Sequence, residues 1–200
     1  MSDRQGRQVQ RRTGGRSARV RRAVLDAALA ALAEHGAEKL SIADVAARAE
    51  VHETSVYRRW GTREGLIAAA MLAHSEQAQP VPDTGTLRGD LTAYAASTVR
   101  MVNSPLGGRL VRAMAAAEDG PELAQLRTEF WRTRAESAGV MIDRAVARGE
   151  LAAAPDTRLV LDALIAPVHF QLLLTRRPVD EGYAEQVVDL LLTGLRPAEG

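Results

Sequence analysis

The sequence predicts an all-α fold of about nine helices. From Ser17 onward, apolar residues recur every three to four positions, which is the spacing of amphipathic helices. No alternating run of polar and apolar residues is long enough to indicate a strand, and there is no internal repeat of ~20–50 residues. Prolines and glycines interrupt the pattern where one helix would end and the next begin.

The helices can be placed in order from their caps and breaks. They are expected at residues 17–35, 42–48, 52–60, 63–79, 86–103, 106–118, 121–148, 156–176 and 180–195. Gly36 can adopt the left-handed conformation that ends the first helix. Ser41 and Asp44 form a capping box for the second, and Thr62 caps the fourth. Pro167 lies inside the eighth helix, which we expect it to kink.

Charge is distributed unevenly along the chain. Residues 1–22 contain eight arginines against one acid, Asp3, which gives +7; because the whole chain carries +1, residues 23–200 carry −6. Residues 1–15 lack apolar periodicity and are predicted to be disordered. A basic arm on an acidic body is typical of nucleic-acid binding, because it attracts phosphates. A solvated tail that only aids solubility is equally consistent with these charges.

Composition and motifs exclude several classes of protein. The absence of cysteine excludes disulfides, zinc ribbons and thiol catalysis. No apolar run approaches the ~20 residues of a membrane span, and no apolar stretch follows the N-terminal arginines as in a signal peptide. There is no phosphate-binding loop, no Gly-x-Ser-x-Gly elbow and no metal-binding spacing of histidines. We therefore expect a cytoplasmic protein without enzymatic activity, cofactor, metal or membrane partner.

The stretch VHETSVYRRWGTREGL, residues 51–66, has two faces on one predicted helix. Val56 and Trp60 are one turn apart and are expected to pack inside, whereas Tyr57 and Arg58 are expected to point outward. Two short helices joined by a tight turn, following a longer one, are typical of a helix-turn-helix. Arginine can bind guanine edges or phosphates, and hydroxyl groups can bind phosphate oxygens. The outer face is therefore suited to DNA.

Residues 40–66, LSIADVAARAEVHETSVYRRWGTREGL, closely resemble the DNA-binding signature of the tetracycline-repressor family of bacterial transcription regulators. RAVARGEL (144–151) and LIAPVHFQLLLTRRPVD (164–180) resemble the C-terminal half of one subgroup of that family, so the resemblance covers about residues 17–196. It implies a helix-turn-helix DNA-binding domain at 16–66, after the arm at 1–15, and a regulatory and dimerisation domain at 67–200. The linker QPVPDTG, residues 79–85, lies between helices of the latter.

The resemblance implies a homodimeric repressor that binds a palindromic double-stranded DNA operator and releases it when a small apolar molecule binds. The expected DNA-binding residues are Arg16, Arg19, Ser41, Ala43, His52, Glu53, Thr54, Ser55, Tyr57, Arg58, Arg59 and Arg63. Two residues depart from the family pattern. Glu50 stands in the turn where glycine is usual, and Glu53 stands where a lysine or small polar residue is common. Glu50 must tolerate a left-handed backbone, or the turn is shaped differently.

The C-terminal helices are expected to hold a ligand pocket and a dimer interface. The candidate pocket residues are Tyr94, Met101, Met114, Phe130, Trp131, Arg134, Met141, His169 and Gln171. The candidate interface residues form apolar stripes on the last two helices: Leu159, Ala163, Phe170, Leu173, Tyr183, Val187, Leu190, Leu191 and Gly194. Such residues also build ordinary cores, and both stripes could be buried within one subunit. A second possibility for the whole protein is a ligand-independent helical DNA-binding module without a pocket.

Overall fold

The computed structural model describes residues 14–116 and 121–194, which contain nine α-helices and no strand. The helices are α1 (Gly14–His35), α2 (Ile42–Arg48), α3 (Glu53–Trp60), α4 (Arg63–Ala78), α5 (Leu87–Asn103), α6 (Pro105–Ala116), α7 (Pro121–Ala147), α8 (Thr157–Phe170) and α9 (Glu181–Gly194). The all-α prediction is confirmed. The basic arm expected at residues 1–15 lies outside the described residues, except that α1 begins at Gly14 rather than Ser17.

The helices pack into two hydrophobic cores. The N-terminal core joins α1 to α4, with Leu32, Val45, Val56 and Leu66 almost completely buried, and it reaches α6 and α7. The C-terminal core joins α5, α7, α8 and α9. Helix α4 runs across the boundary expected after residue 66, since Ile67 packs into the same core as Leu66.

The linker between α4 and α5 is held in a fixed conformation by Asp90. This carboxylate is fully buried and accepts hydrogen bonds from the backbone nitrogen of Thr84 at 2.6 Å and from its hydroxyl at 2.8 Å. Arg148, directly after α7, approaches the same carboxylate at 3.5 Å. A buried charge needs such partners to offset its desolvation, so the linker is anchored to α5.

Helix α8 continues through Pro167 and then widens into a π-helical turn, Gln171–Thr175. Pro167 has no backbone N–H to donate, and the change of helix type follows within about one turn. Together, Thr157–Thr175 are long and apolar enough to cross a membrane by length and composition, which the sequence-based expectation overlooked. Only 28% of this stretch is buried in the subunit. Its exposed side carries Leu159, Phe170 and Leu174.

Candidate functional site

The two short helices α2 and α3 are held by a few buried side chains. Ile42, Val45 and Ala46 are the buried residues of α2, and Val56 is the buried residue of α3. Val45 and Val56 are both completely inaccessible. The rest of α3 is therefore free to present polar groups outward.

The turn between α2 and α3 contains Glu50 in the left-handed conformation, with φ of 54°. The Glu50 nitrogen donates to the Ala47 carbonyl at 3.2 Å, and the Val51 nitrogen donates to the Ala46 carbonyl at 3.0 Å. These two bonds form a Schellman motif with Glu50 at the position that usually holds glycine. Glu50 thus tolerates the strained backbone that the sequence raised as one possibility, at a cost of about 1–2 kcal/mol.

Helices α3 and α4 meet at a contact that only glycine permits. Gly61 ends α3 with φ of 74°, and the Thr62 hydroxyl caps α4 by accepting from the Gly65 nitrogen at 3.0 Å. A Cβ atom at residue 65 would collide with the carbonyl oxygen of Trp60. The last turn of α3 therefore packs directly on the first turn of α4.

Trp60 is only partly buried, which corrects the expectation that it lies inside the core. It packs against the edge of the N-terminal core, and the guanidinium of Arg59 lies 5.5 Å from its ring centroid. Val56, one turn earlier, is the residue that anchors α3.

Most of the residues expected to contact DNA form an exposed polar surface on α1, α2 and α3. The exposed ones are Arg16, Arg19, Ser41, Ala43, His52, Glu53, Thr54, Tyr57, Arg58 and Arg59. Ser55 and Arg63 are partly buried. The Tyr57 side chain is 50% exposed. We call the exposed side chains within residues 52–59, on α3 and the residue before it, the α3 surface.

Some of these side chains already have partners within the chain. The Arg63 guanidinium donates to the Glu38 carbonyl at 2.9 Å and to the Glu64 carboxylate at 2.8 Å. The Arg59 guanidinium approaches the Ser17 hydroxyl at 3.5 Å. Tyr57 and Arg58 make no side-chain hydrogen bond or ion pair with any described residue. Their donors are available on the α3 surface.

A cavity of about 320 Å³ lies between α4, α5, α6, α7 and α8. Seven of the nine expected pocket residues line it: Tyr94, Met101, Met114, Phe130, Trp131, Arg134 and His169. Met141 is instead fully buried in the C-terminal core, and Gln171 bonds to Thr175 at the end of α8. The wall is otherwise mostly apolar.

The sequence-based list missed the contribution of α4. This helix lines the cavity with Ala68, Met71, His74 and Ser75, and Gln79, its C-terminal cap, lines it as well. The further lining residues are Thr98, Leu110, Val111, Ala115, Leu126, Arg127, Ile165 and Leu173. The spacing of Ala68, Met71, Ser75 and Gln79 places them on one face of α4 and could have indicated this role.

One end of the cavity is polar and centred on Arg134, which is 5% exposed. Its Nη2 atom donates to the Tyr94 hydroxyl at 2.6 Å and lies 3.4 Å from both the backbone and the side-chain oxygen of Gln79. The Gln79 amide in turn donates to the Thr98 hydroxyl at 2.7 Å. Burial raises the pKa of Tyr94, so its phenol stays protonated at neutral pH.

At another part of the wall, aromatic rings separate the cavity from a surface groove. Trp131 is 38% exposed and makes edge-to-face contacts with Phe130 and with His169, at centroid distances of 5.2 and 5.7 Å. Trp131 and His169 also line the groove. The Nδ1 atom of His169 donates to the Ile165 carbonyl at 2.9 Å, which leaves Nε2 as an acceptor. Burial lowers the pKa of His169.

The apolar stripes on α8 and α9 are only partly exposed. Leu159, Phe170 and Leu190 are 65%, 52% and 75% exposed, and Gly194 is exposed as well. Ala163, Tyr183 and Leu191 are partly buried. Val187 is buried within the subunit, and Leu173 is partly buried and lines the cavity.

Comparison with known proteins gives consistent relatives over nearly the whole chain. The profile described as bacterial regulatory proteins, tetR family, matches residues 24–70, and the profile described as tetracyclin repressor-like, C-terminal domain, matches residues 81–191. The HTH-type transcriptional regulator AqdR of Rhodococcus erythropolis is 36% identical over 90% of this chain and 86% of its own length. The DNA-binding transcriptional repressor TetR of Mycobacteroides abscessus is 33% identical over 88% of this chain and 93% of its own length.

The fold also matches solved structures. The TetR family transcription regulator SCO0332 superimposes with a TM-score of 0.73 and 27% identity, covering 89% of this chain and 99% of that one. Each of these proteins is named as a transcription regulator.

Replacing Glu50 with glycine should stabilise the protein. Relief of the left-handed strain is worth about 1–2 kcal/mol, and the greater freedom of glycine in the unfolded chain cancels about 0.4–1 kcal/mol of that. We therefore expect Glu50→Gly to raise the free energy of unfolding by roughly 0.5–1 kcal/mol in urea titrations. Glu50→Asn, which tolerates the same backbone, is the matched variant, and a loss of stability in both would contradict the role assigned to this turn.

The protein should lose stability as the pH falls below about 6.5, the ordinary pKa of histidine. Burial lowers the pKa of both His74 and His169 in the folded chain. Below pH 6.5 the unfolded chain binds protons that the folded chain excludes, so unfolding becomes more favourable. Unfolding midpoints from pH 8 to pH 5 would show this. His169→Asn, which retains a donor for the Ile165 carbonyl, should make the dependence shallower, and an unchanged profile would contradict the prediction.

Proposed function

Because the chain belongs to the tetracycline-repressor family of bacterial transcription regulators, we propose that it represses transcription as a ligand-responsive homodimer on a palindromic operator. The chain is a helix-turn-helix DNA-binding regulator and not an enzyme. Repression is supported by the relative named as a transcriptional repressor, with 33% identity. Such a protein acts on bacterial DNA, so its place is the cytoplasm.

The observation that carries the DNA-binding proposal is the α3 surface. Val56 anchors α3 in the core, whereas Tyr57 and Arg58 are exposed, and their side-chain donors bond to no described residue. In this proposal residues 52–59 enter a major groove, where Arg58 reads a guanine edge or binds a phosphate. Ser41 and Ala43 at the start of α2 approach the DNA backbone, and Arg16 and Arg19 on α1 lie near phosphates or the minor groove.

Two of the expected DNA-binding residues, Arg63 and Arg59, also make contacts within the chain that help to position α3 and α4. Arg63 is bonded to Glu38 and Glu64, so it holds the start of α4 against the turn after α1. Arg59 lies over Trp60 and points toward Ser17 of α1. Either side chain can still reach a phosphate with its remaining N–H groups, but each also positions α3.

A palindromic operator requires two copies of the α3 surface related by a two-fold axis. The apolar residues left exposed on α8 and α9 support pairing through these helices. Leu159, Ala163 and Phe170 follow the spacing of one helix face, and Leu190 of α9 is the most exposed large apolar residue in the part of the chain that the structure describes. Large apolar side chains exposed in this way favour a protein interface over contact with water.

The cavity supports regulation by a small molecule. Helix α4 touches α3 at Gly65 and lines the cavity with Ser75 and Gln79. A ligand that binds better to one position of α4 would shift the population toward that position and move both α3 helices out of register with the operator. A ligand-independent module would instead predict operator affinity that no small molecule changes.

Tyr57→Ala combined with Arg58→Ala should lower operator affinity at least 100-fold without unfolding the protein. Each subunit would lose contacts worth about 1–3 kcal/mol per well-made base contact, and both side chains are exposed. The operator would be sought by footprinting the DNA directly upstream of the protein's own gene at physiological salt. Affinity would then be measured on the protected fragment.

The control for this experiment is Arg132→Ala, which removes an exposed arginine of α7 far along the chain from α3. It should leave operator affinity within about twofold of the starting value, allowing for a small non-specific charge effect. If the double variant of α3 binds as well as this control, the assignment of the α3 surface is wrong.

Leu190→Arg should convert the homodimer into monomers at micromolar concentration. A cation placed in an apolar interface would be buried without a partner, whereas Leu190 is 75% exposed in the subunit, so the monomer fold should persist. Sedimentation velocity measures the change in mass. Glu185→Arg, at an exposed position of the same helix, is the control and should remain dimeric; dissociation of both variants or of neither would contradict the interface.

A further inference from the structure

We infer that the cavity binds an organic monoanion: a carboxylate attached to an apolar body, with its head group on Arg134. This inference rests on the proposal that the cavity is the ligand site of the regulator, and it specifies the chemical class of that ligand. Arg134, Ser75 and Gln79 form the polar end that would receive the head group.

The buried guanidinium of Arg134 lacks a compensating charge. It is ionised in any protein environment, it is 5% exposed, and no carboxylate among the described residues forms an ion pair with it. Its hydrogen bonds all come from Nη2 and go to the neutral oxygens of Tyr94 and Gln79. Nε and Nη1 donate to no described residue. A cation buried in this way is costly unless a partner neutralises it.

No acidic side chain lines the cavity in the part of the chain that the structure describes. The wall does contain two histidines, His74 and His169, and burial lowers the pKa of each, so both remain neutral at neutral pH. Among the described lining residues, the cavity therefore presents the positive charge of Arg134 without an acidic side chain to balance it. An anionic ligand would supply the missing charge.

Ser75 gives an independent indication of a polar guest. Its hydroxyl is buried and has no hydrogen-bond partner among the described residues, and the side chain lines the cavity. Ser75 lies one turn before Gln79 on α4, and Gln79 contacts Arg134. In the proposed complex, the head group on Arg134 also accepts a hydrogen bond from the Ser75 hydroxyl, which would satisfy a group that is otherwise costly to bury.

The apolar part of the cavity wall determines the size and polarity of the ligand body that carries the head group. Met71, Met101, Met114, Phe130 and Leu110 are apolar, and a volume of about 320 Å³ lies at the small end of the ~300–1,000 Å³ typical of ligand sites. Arg134 can neutralise one negative charge. A dianionic phosphate would leave an excess negative charge in this apolar space, whereas a carboxylate matches the planar donors of a guanidinium.

Arg134 also connects α4, α5 and α7, so a purely structural role is the competing explanation. If Arg134 were only a structural link, its N–H donors would bond to groups of the protein, and the side chain would be needed for stability. Here one nitrogen makes every hydrogen bond, and its acceptors are neutral. Replacing a buried, unpaired charge by an apolar side chain of similar size is often neutral or stabilising.

The test compares carboxylates with their neutral amides by titration calorimetry on the full-length protein. Octanoate with octanamide and 2-naphthoate with 2-naphthamide are pairs of nearly equal shape. In each pair whose members fit the cavity, the carboxylate should bind the unmodified protein at least tenfold more tightly than its amide does. Arg134→Met should abolish this preference, Arg134→Lys should retain part of it, and Arg132→Gln, an exposed arginine on the same helix, should leave it unchanged.

Several results would overturn the inference: no carboxylate of either pair binds, both members of each pair bind equally, or Arg134→Met preserves the preference. A midpoint of thermal unfolding that stays the same or rises in Arg134→Met supports a ligand role, and a large fall supports a structural one. If Arg134→Met does not fold, Arg134→Lys must weaken the carboxylates several-fold while leaving the amides unchanged. Footprinting the same variants without added ligand separates this inference from DNA binding, because the operator should still be protected.

Discussion

The guanidinium of Arg134 imposes the strongest physical constraint on the C-terminal half of the molecule. A permanent charge in an apolar interior must keep some contact with oxygen atoms, and Arg134 finds them on Gln79 at the end of α4 and on Tyr94 of α5. These contacts bring three helices together around a space that none of them fills. The position of α4 relative to α5 and α7 is consequently linked to how completely that charge is solvated or paired.

The DNA-binding half follows a different principle, because its geometry is set mainly by the backbone. Glu50 occupies a left-handed turn closed by two hydrogen bonds, and Gly65 permits α4 to press on the carbonyl of Trp60. Val56 supplies the single fully buried anchor of α3. Since the fold of this region depends so little on the outer side chains, exposed residues such as Tyr57 and Arg58 can vary without a large effect on stability.

The sequence predicted the helices well because each is marked by periodicity and by a break, and it also separated Val56 from Tyr57 correctly. It predicted individual neighbours less well. Met141 and Gln171 have the size and polarity expected at a pocket, but the face on which a residue lies depends on how its helix is rotated against its neighbours. Candidate pocket residues are recognised in a sequence by bulky side chains, and Ala68 and Ser75 are small. The contribution of α4 was therefore missed. Val187 belongs to an apolar stripe, yet α9 turns it inward against the C-terminal core.

Under the proposed function, helix α4 takes part in both DNA binding and ligand binding, and this affects how the protein can evolve. Its first turn is pressed against α3, and its last two turns form cavity wall. A substitution there that admits a new ligand also alters the resting position of the DNA-binding helices, so selection acts on both properties at once. Among the described helices, α3 packs mainly on α2 and α4, so substitutions on α6 or on the Trp131 side of α7 reach the cavity without acting directly on α3. Divergence in ligand preference among related proteins should therefore accumulate on those helices, while α4 changes slowly.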